Sequence, residues 1–259
     1  MSIKFEKKPG LVIYLTAGDP DLATTRDMAI AAVDAGADVI ELGVPFSDPL
    51  ADGPVIQRAS ERAVAKGTRL EDVLKTCREI RNARANAGII LFSYLNPVVR
   101  YGMTAFAKAA KDAGADGVLL TDMIVEEAGE YLEAMRANDL APVFLAAPTS
   151  PDERLKAIAE NSRGFVYAIS RVGITGTQTE LAADAETLVK RLKQFAQIPV
   201  ALGFGISTPE HVKTVAGFAD AAVVGSALVA LVEKTPAAEA PRAVGEFVRQ
   251  LKEGGQPST

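Results

Sequence analysis

The sequence predicts a single-domain (β/α)8 TIM barrel, an α/β fold in which eight parallel strands alternate with helices. Three observations predict it. The chain has 259 residues, 48% of them hydrophobic and 24% charged, which suffices for one large core. Short runs rich in Val, Ile and Leu recur along the chain, with amphipathic helical sequence between them. These runs are almost continuously apolar, which is typical of strands buried on both faces of a parallel sheet.

Eight such runs occur, and each except the last leads through a polar loop into a helix before the next run begins. About 250 residues is the size expected of such a barrel. The first turn, TAGDPD, lacks the glycine pattern of a dinucleotide-binding sheet, which disfavours an open doubly wound fold. The runs are LVIYLTAG from Leu11, DVIELGV from Asp38, IILFSY from Ile89, GVLLTD from Gly117, PVFLAA from Pro142, GFVYAIS from Gly164, PVALGFG from Pro199 and AAVVGSA from Ala221.

The segments between the runs repeat in part. AAVDAGADVI and AAKDAGADGV both pass from a helix into a strand, and Gly36 and Gly114 are expected in the left-handed conformation that ends a helix. No linker interrupts the chain, so residues 1–259 are predicted to form one domain. EKTPAAEAP, from Glu233, is predicted to be a loop before a last helix, and about residues 254–259 a flexible tail.

Composition excludes several classes of protein. The formal net charge is -5 and no Lys/Arg run is present, which argues against nucleic acid as a partner. A lone cysteine, Cys77, excludes an internal disulfide, and a lone histidine, His211, leaves too few soft ligands for zinc or iron. Cys77 is expected to be buried in a helix and His211 to lie at a helix start. Without a signal peptide or a membrane-spanning apolar run, we expect a cytoplasmic protein.

The active site of a barrel lies at the carboxyl ends of its strands, and the second run places Glu41 in an apolar strand that leads there. A buried carboxylate is costly without a partner, and Arg171 is the one basic residue on another strand that could pair with it. In the absence of such a pair, burial is expected to raise the pKa of Glu41, as a proton-shuttling group at neutral pH requires.

Asp52 follows in the loop segment ADGP. The surrounding backbone amides and the next helix N-terminus are expected to favour its ionised form, which would divide an acid/base pair between Glu41 and Asp52. A simple helix cap or turn is the alternative for Asp52. Asp48 completes an acidic trio that could hold magnesium, although nothing else in the sequence points to a metal.

Glycines cluster at the ends of runs six, seven and eight, in RVGITGT, GFGIS and VGSA. Glycine lets backbone amides approach an anion, and the loops after strands seven and eight form the usual barrel phosphate site. Tight turns are the alternative reading of these glycines. The predicted phosphate cup consists of Gly176, Phe204, Gly205, Gly225 and Ser226.

Other barrel chemistries leave residues that are missing here. No lysine lies at a strand end, so a Schiff-base aldolase is disfavoured, and no histidine and lysine pair suggests a triose-phosphate type of isomerase. A carbon–carbon cleavage must therefore proceed without a protein imine.

From YLTAGDPD at Tyr14 to the last helix, the sequence resembles the alpha subunit of tryptophan synthase. The segments that carry the resemblance are ELGVPFSDPLADGPVIQRA, SYLNPVVRYG, APTSPDERL, GFVYAISRVGITG and GFGIS. The resemblance implies retro-aldol cleavage of indole-3-glycerol phosphate to indole and glyceraldehyde 3-phosphate. It implies that Glu41 is the general acid/base and that Asp52 accepts the indole N–H and stabilises the positive charge on the ring. It also implies substrate contacts by Tyr14, Ile56, Tyr94, Tyr167 and Thr175, with Thr175 on a closing loop that bonds the aspartate.

The resemblance further implies an αββα complex, in which a beta subunit that uses pyridoxal phosphate consumes the indole, and no cofactor in this chain. Asp48, Asn96 and Pro97 match the loops that face that partner. One departure lies nearby, because Met123 and Ile124 stand where the family commonly has Leu or Val followed by Pro. Open alternatives are a lyase that works without a partner, a non-catalytic activator of a beta subunit, and another phosphate-binding barrel such as a sugar-phosphate isomerase.

Overall fold

A computed structural model describes residues 3, 5, 8–169, 178–203 and 205–254, with only the backbone described at 178–182. All strands pair in parallel in one sheet, in the order β5-β4-β3-β2-β1-β9-β8-β7-β6. The strands are β1 Gly10–Thr16, β2 Val39–Gly43, β3 Gly88–Ser93, β4 Gly117–Leu120, β5 Ala141–Val143, β6 Leu145–Ala146, β7 Val166–Ile169, β8 Val200–Gly203 and β9 Ala221–Val224.

The predicted run PVFLAA forms two short strands instead of one, which is why the described residues contain nine strands where eight runs were predicted. β5 pairs with β4, whereas β6 pairs with β7. The change of partner falls at Phe144, whose carbonyl accepts the N–H of Tyr167 at 3.1 Å and whose ring packs edge-on against Tyr131. Because β5 and β6 lie at opposite ends of the strand order, this one run brings the sheet round on itself, and the predicted barrel is confirmed.

Helices follow the strands and cover the outside of the sheet. Gly36 and Gly114, at φ +105° and +87°, have the left-handed conformation expected of helix ends. The segment predicted as a loop from Glu233 is shorter, since α10 runs on to Lys234. The helices are α1 Leu22–Asp34, α2 Pro54–Ala65, α3 Leu70–Ala83, α4 Leu95–Tyr101, α5 Met103–Asp112, a 3₁₀ turn Val125–Glu127, α6 Gly129–Ala137, α7 Asp152–Asn161, α8 Gln178–Leu192, α9 Pro209–Ala216, α10 Ser226–Lys234 and α11 Ala240–Gly254.

Helix α11 reaches Gly254, and the rest of the predicted tail, 255–259, lies outside the described residues. Over the described part of the chain, none of the helices is both long and apolar enough to cross a membrane.

The two larger apolar clusters among the described residues form the main cores of the fold. One fills the barrel and contains Val12, Val39, Ile90, Leu119 and Val223, among others. The larger one lies between the strands and the helices. Because successive side chains of a strand point to opposite sides, alternate residues of each strand enter these two cores, and the barrel interior is packed.

Candidate active site

Glu41 lies inside the barrel, two residues after Val39 along β2 and nearer the carboxyl end of the strand. It shares the face of Val39, which packs in the interior core, and its neighbours in register are Tyr14 on β1 and Ile90 on β3. The side chain is completely buried, and neither carboxylate oxygen has a hydrogen-bond partner among the described residues. Arg171, the one partner that the sequence offered, lies outside those residues. Burial raises the pKa of Glu41 to about 8, in the direction expected from the sequence.

Asp52 lies on the loop after β2, two residues before α2 begins. Its Oδ2 accepts the Tyr94 hydroxyl at 3.0 Å, and the same hydroxyl oxygen accepts the N–H of Ala51 at 2.9 Å. Gln57 donates its side-chain amide to the Asp52 carbonyl at 2.8 Å. The N-cap of α2 is Gly53, without a side-chain cap, so Asp52 is not the helix cap that the sequence left open. Its carboxylate instead faces a tyrosine.

The expected effect on the pKa of Asp52 was wrong in sign. Burial raises this pKa to about 6, and the hydrogen bond from Tyr94 offsets only part of that rise. The helix N-terminus and backbone amides do not outweigh the loss of water around a carboxylate that they do not contact. At neutral pH, however, Asp52 is still largely ionised and Glu41 largely protonated. The two carboxyl groups therefore differ in charge, as an acid/base pair requires.

Aromatic side chains surround these carboxyl groups. The Tyr14 ring meets Phe92 edge-on at 5.1 Å between centroids, and the Thr16 hydroxyl donates to the Tyr14 oxygen at 3.3 Å. Tyr167, on β7, packs against the interior core. A methyl group on Gly203 would lie 2.8 Å from the Tyr167 ring, so the bare backbone of β8 makes room for that ring. A methyl group on Gly43 of β2 would likewise collide with the Tyr14 hydroxyl, so the glycine leaves room for that side chain.

Sequence reasoning missed three side chains near these groups. Phe92 stands beside Gly43 in register, on the interior face of β3, and Phe46 packs its ring 5.2 Å from Tyr94. Gln57 holds the Asp52 backbone. Alternation along IILFSY, which puts Phe92 on the same face as the interior residue Ile90, could have identified Phe92. Nothing in the sequence marks Phe46 or Gln57.

Three residues of the predicted phosphate cup are described. Gly205 follows β8 with φ +48°, and Gly225 and Ser226 stand at the start of α10, directly after the neighbouring strand β9. The first amides of a helix have no intrahelical acceptor and favour anions. A methyl group on Gly225 would lie 3.6 Å from Tyr14 and 3.8 Å from Ile56, so this helix start adjoins the aromatic part of the mouth. Thr175, Gly176 and Phe204 lie outside the described residues.

Residues 1–255 match the family model described as "Tryptophan synthase alpha chain". The chain belongs to the tryptophan synthase alpha chain family. It is similar to the alpha chain of Solibacter usitatus, with 48% identity over 97% of this chain and 94% of the relative, and to that of Cupriavidus metallidurans, with 46% identity over 96% and 94%. A Mycobacterium tuberculosis tryptophan synthase structure superposes with a TM-score of 0.88 at 37% identity, covering 97% of this chain and 94% of that one. The alpha subunit of Legionella pneumophila gives 0.88 at 38% identity, over 96% and 93%.

Family membership gives the reaction. The tryptophan synthase alpha chain is a carbon–carbon lyase of tryptophan biosynthesis that cleaves indole-3-glycerol phosphate to indole and glyceraldehyde 3-phosphate. The activity that the sequence resemblance implied is thereby confirmed, and the sugar-phosphate isomerase alternative is excluded.

The loops at the carboxyl ends of β2, β3 and β4 carry the residues expected to face a partner. Asp48 and Asn96 are exposed and Pro97 is half-buried. The same region of the chain carries exposed apolar side chains, of which the sequence analysis had named only Ile124. These are Leu50 (83% exposed) on the loop after β2, Val99 (57%) in α4 after β3, and Ile124 (44%) on the loop after β4.

Cys77 and His211, the lone cysteine and the lone histidine, both lie in helices. Cys77 is buried in α3, and burial raises the pKa of its thiol to about 12. His211 Nδ1 accepts the N–H of Ser207 at 3.3 Å at the start of α9. Among the described residues, no group of His, Cys, Asp and Glu side chains is arranged to hold a metal ion. The acidic trio of Glu41, Asp48 and Asp52 therefore does not form such a group.

Proposed function

We propose that Glu41 and Asp52 divide the cleavage chemistry of this lyase between proton transfer and charge stabilisation. One observation carries the proposal: two carboxyl groups beside the same aromatic mouth differ in protonation at neutral pH, because Glu41 has a pKa of about 8 and Asp52 of about 6. A carboxyl that holds its proton at pH 7 can donate it, and one that has lost its proton can attract a positive charge.

The proposed reaction begins when Glu41 gives its proton to C3 of the indole ring. The ring nitrogen then carries positive charge, and Asp52 accepts its N–H and stabilises that charge. The Glu41 carboxylate next takes the proton of the glycerol hydroxyl adjacent to the ring. The hydroxyl oxygen becomes a carbonyl as the carbon–carbon bond breaks, and the bonding electrons return to the indole. Protons balance, because Glu41 ends the cycle protonated as it began.

Burial of Glu41 supports this assignment. With no described hydrogen-bond partner, its carboxylate is a strong base once formed, so recapturing a proton is favourable. Protonated indole is the electron sink, and the scheme therefore requires no cofactor in this chain. The phosphate of the substrate is assigned to the amides at Gly205, Gly225 and Ser226, with Gly176 and Phe204, and the indole to Tyr14, Ile56, Tyr94 and Tyr167, with Thr175 on the closing loop.

The test is release of indole from indole-3-glycerol phosphate by the purified chain and by Asp52→Asn. We expect the variant to lose most of its turnover, about 100-fold, because a neutral amide cannot stabilise the ring cation. Its affinity for inorganic phosphate should equal that of the wild type, since the phosphate donors are untouched. A variant that turns over at nearly the normal rate would refute the role of Asp52.

The partner in this proposal is a tryptophan synthase beta subunit, which carries pyridoxal phosphate and consumes indole in an αββα complex. Leu50, Val99 and Ile124 expose apolar surface in the same part of the chain as Asp48 and Asn96. Exposed apolar side chains of this kind favour contact with another protein over contact with water. A cytoplasmic location, expected for an enzyme of amino-acid biosynthesis, belongs to the same proposal.

Titration of the purified chain with a beta subunit, followed by indole formation, tests the partner. We expect turnover to rise with added beta subunit until one partner is present per chain. If turnover does not rise, the chain is a lyase that works alone, and the departure at Met123 and Ile124 marks the lost contact. A chain that raises the activity of a beta subunit but forms no indole itself would instead be the non-catalytic activator.

A further inference from the structure

A network of four charged side chains joins α2 to α10 and consists of Arg58 and Arg62 of α2, Glu233 of α10 and Asp19 of the β1–α1 loop. Arg58 donates through Nε and Nη2 to the two carboxylate oxygens of Glu233, at 2.8 and 2.7 Å. Arg62, one turn further along α2, donates through Nε and Nη2 to the two oxygens of Asp19, at 2.9 and 2.8 Å. Its remaining nitrogen, Nη1, donates to Glu233 at 2.8 Å. Arg62 is thus shared between the β1–α1 loop and α10.

The geometry of this network differs from that of ordinary surface ion pairs. Two forked guanidinium–carboxylate pairs, Arg58 with Glu233 and Arg62 with Asp19, are linked by the third nitrogen of Arg62. Asp19 is only 5% exposed. Forked pairs fix orientation as well as distance. Hydrogen bonds from Arg58, and further ones from Arg62, lower the pKa of Glu233 to about 2, so Glu233 is charged throughout the neutral range.

The two helices joined by these charges carry the two halves of the proposed site. Helix α2 begins two residues after Asp52, and α10 begins at Ser226, directly after Gly225. Ala59 of α2 and Val229 of α10 lie in one buried apolar cluster, which packs the helices together beside these charges. Apolar packing and the ion pairs of Glu233 therefore both set the spacing between Asp52 and the phosphate amides.

We propose that Arg62 and Glu233 are positioning residues that hold Asp52 and the phosphate amides of α10 at the separation the substrate requires. This inference rests on the proposed roles of Asp52 and of α10. The substrate must engage Asp52 and the phosphate cup at once, whereas inorganic phosphate engages only the phosphate cup. Loss of the network should impair cleavage of the whole substrate and leave binding of phosphate alone intact.

Glu233→Gln in the full chain tests this. We expect kcat/KM for indole-3-glycerol phosphate to fall roughly tenfold, since small misplacements by residues remote from the chemistry reduce rates by up to about 100-fold. The Kd for inorganic phosphate should stay within about twofold of the wild type. Arg84→Gln is the matched control, because Arg84 also forms a forked pair, with Asp34, between helices α1 and α3 far from the mouth. The control and Glu233→Gln should have similar Tm values, and the control should cleave normally.

A second variant, Arg62→Lys, keeps the positive charge but cannot bind two carboxylates with a fork, and it should show the same separation of cleavage from phosphate binding. The inference is overturned if either variant keeps kcat/KM within about twofold of the wild type, or if phosphate binding weakens in parallel with cleavage. A wild-type chain that releases no indole would instead refute the proposed function. Normal cleavage by both variants refutes only the positioning role.

Discussion

Three aspartates at the amino ends of the strands and Glu41 differ in how their burial is compensated. At the amino ends of the strands, Asp38, Asp116 and Asp220 each precede a strand and accept the backbone N–H of a neighbouring strand, at 2.8, 2.9 and 3.0 Å. Each also pairs with a cation, namely Lys252 at 2.7 Å, Arg81 at 2.6 Å and Lys8 at 2.6 Å. Toward the carboxyl ends, Glu41 has neither kind of partner among the described residues.

The presence or absence of partners distinguishes carboxylates that stabilise the fold from the carboxyl group that we propose to transfer a proton. A buried carboxylate with an amide and a cation holds strands and helices in place and remains ionised. The pKa of Asp220 shows this: burial by itself would raise it, but Lys8, the Val200 amide and Lys193 together lower it. Glu41 lacks such compensation, so its burial costs stability and shifts its pKa into the range of proton transfer. Strain of this kind persists where catalysis requires it.

The largest effect should come from Glu41→Gln. The amide has the same shape but neither donates nor accepts the reacting proton, so kcat should fall by about 100-fold to 10,000-fold. Steady-state release of indole measures this, and inorganic phosphate binding serves as the control for an intact site. Turnover within about tenfold of the wild type would mean that another group moves the proton.

The same variant should alter how stability depends on pH. Glu41 has a pKa of about 8 in the folded chain against an ordinary value of 4.5 for a glutamate in water, so the folded state holds the proton more tightly than the unfolded state. Stability from this group is fully present below about pH 4.5 and is lost as pH rises through about 8. Relative to the wild type, Glu41→Gln should therefore become progressively more stable across that window. Urea unfolding of both proteins at several pH values tests this, and parallel curves would contradict the raised pKa.

At the base of the barrel, Asp116→Ala should do the reverse. It leaves the Ile89 amide and Nη2 of Arg81 without their carboxylate acceptor, and we expect a loss of about 3 kcal/mol in the free energy of unfolding. The kcat should stay within about twofold of the wild type, because the proposed catalytic groups lie toward the opposite end of the barrel. Asp34→Ala, which breaks the exposed pair with Arg84, is the matched control and should cost under about 1 kcal/mol. Equal losses in both variants would show that the base carboxylates are no more structural than surface ones.

The sequence predicts the architecture and the amino ends of the strands better than it predicts the site at their carboxyl ends. Apolar runs and the Gly36 and Gly114 helix ends identify the strands and their order along the chain, since these depend on local pattern. The position of Glu41 follows from the same pattern. The division of PVFLAA into β5 and β6 does not, because it depends on which neighbour each half pairs with once the barrel closes.

The mouth depends on contacts between residues far apart in sequence. Asp52 and Tyr94 are 42 positions apart, and Arg58 and Glu233 are 175 apart, so neither pairing has a local signature. The sign of the Asp52 pKa shift was wrong for this reason: the adjacent helix start is visible in the sequence, but the burial of the side chain is not. Glu233 was assigned to a loop because TPAAEAP follows it, whereas its contacts with α2 belong to the helix end.

The smallest effect concerns the hydrogen bond that moderates Asp52. In Tyr94→Phe, the carboxylate loses the one contact that lowers its pKa, and the pKa should rise above about 6. Because the ionised form is the active one, the acidic limb of the kcat profile should move to higher pH, with a loss of only a fewfold at pH 8 and a larger loss near pH 6. Tyr101→Phe, whose ring packs edge-on against Phe106 among the outer helices, is the control and should leave the profile unchanged. If Tyr94→Phe lowers kcat equally at all pH values, the hydroxyl acts by orienting Asp52 or its loop through Ala51, and not by tuning its charge.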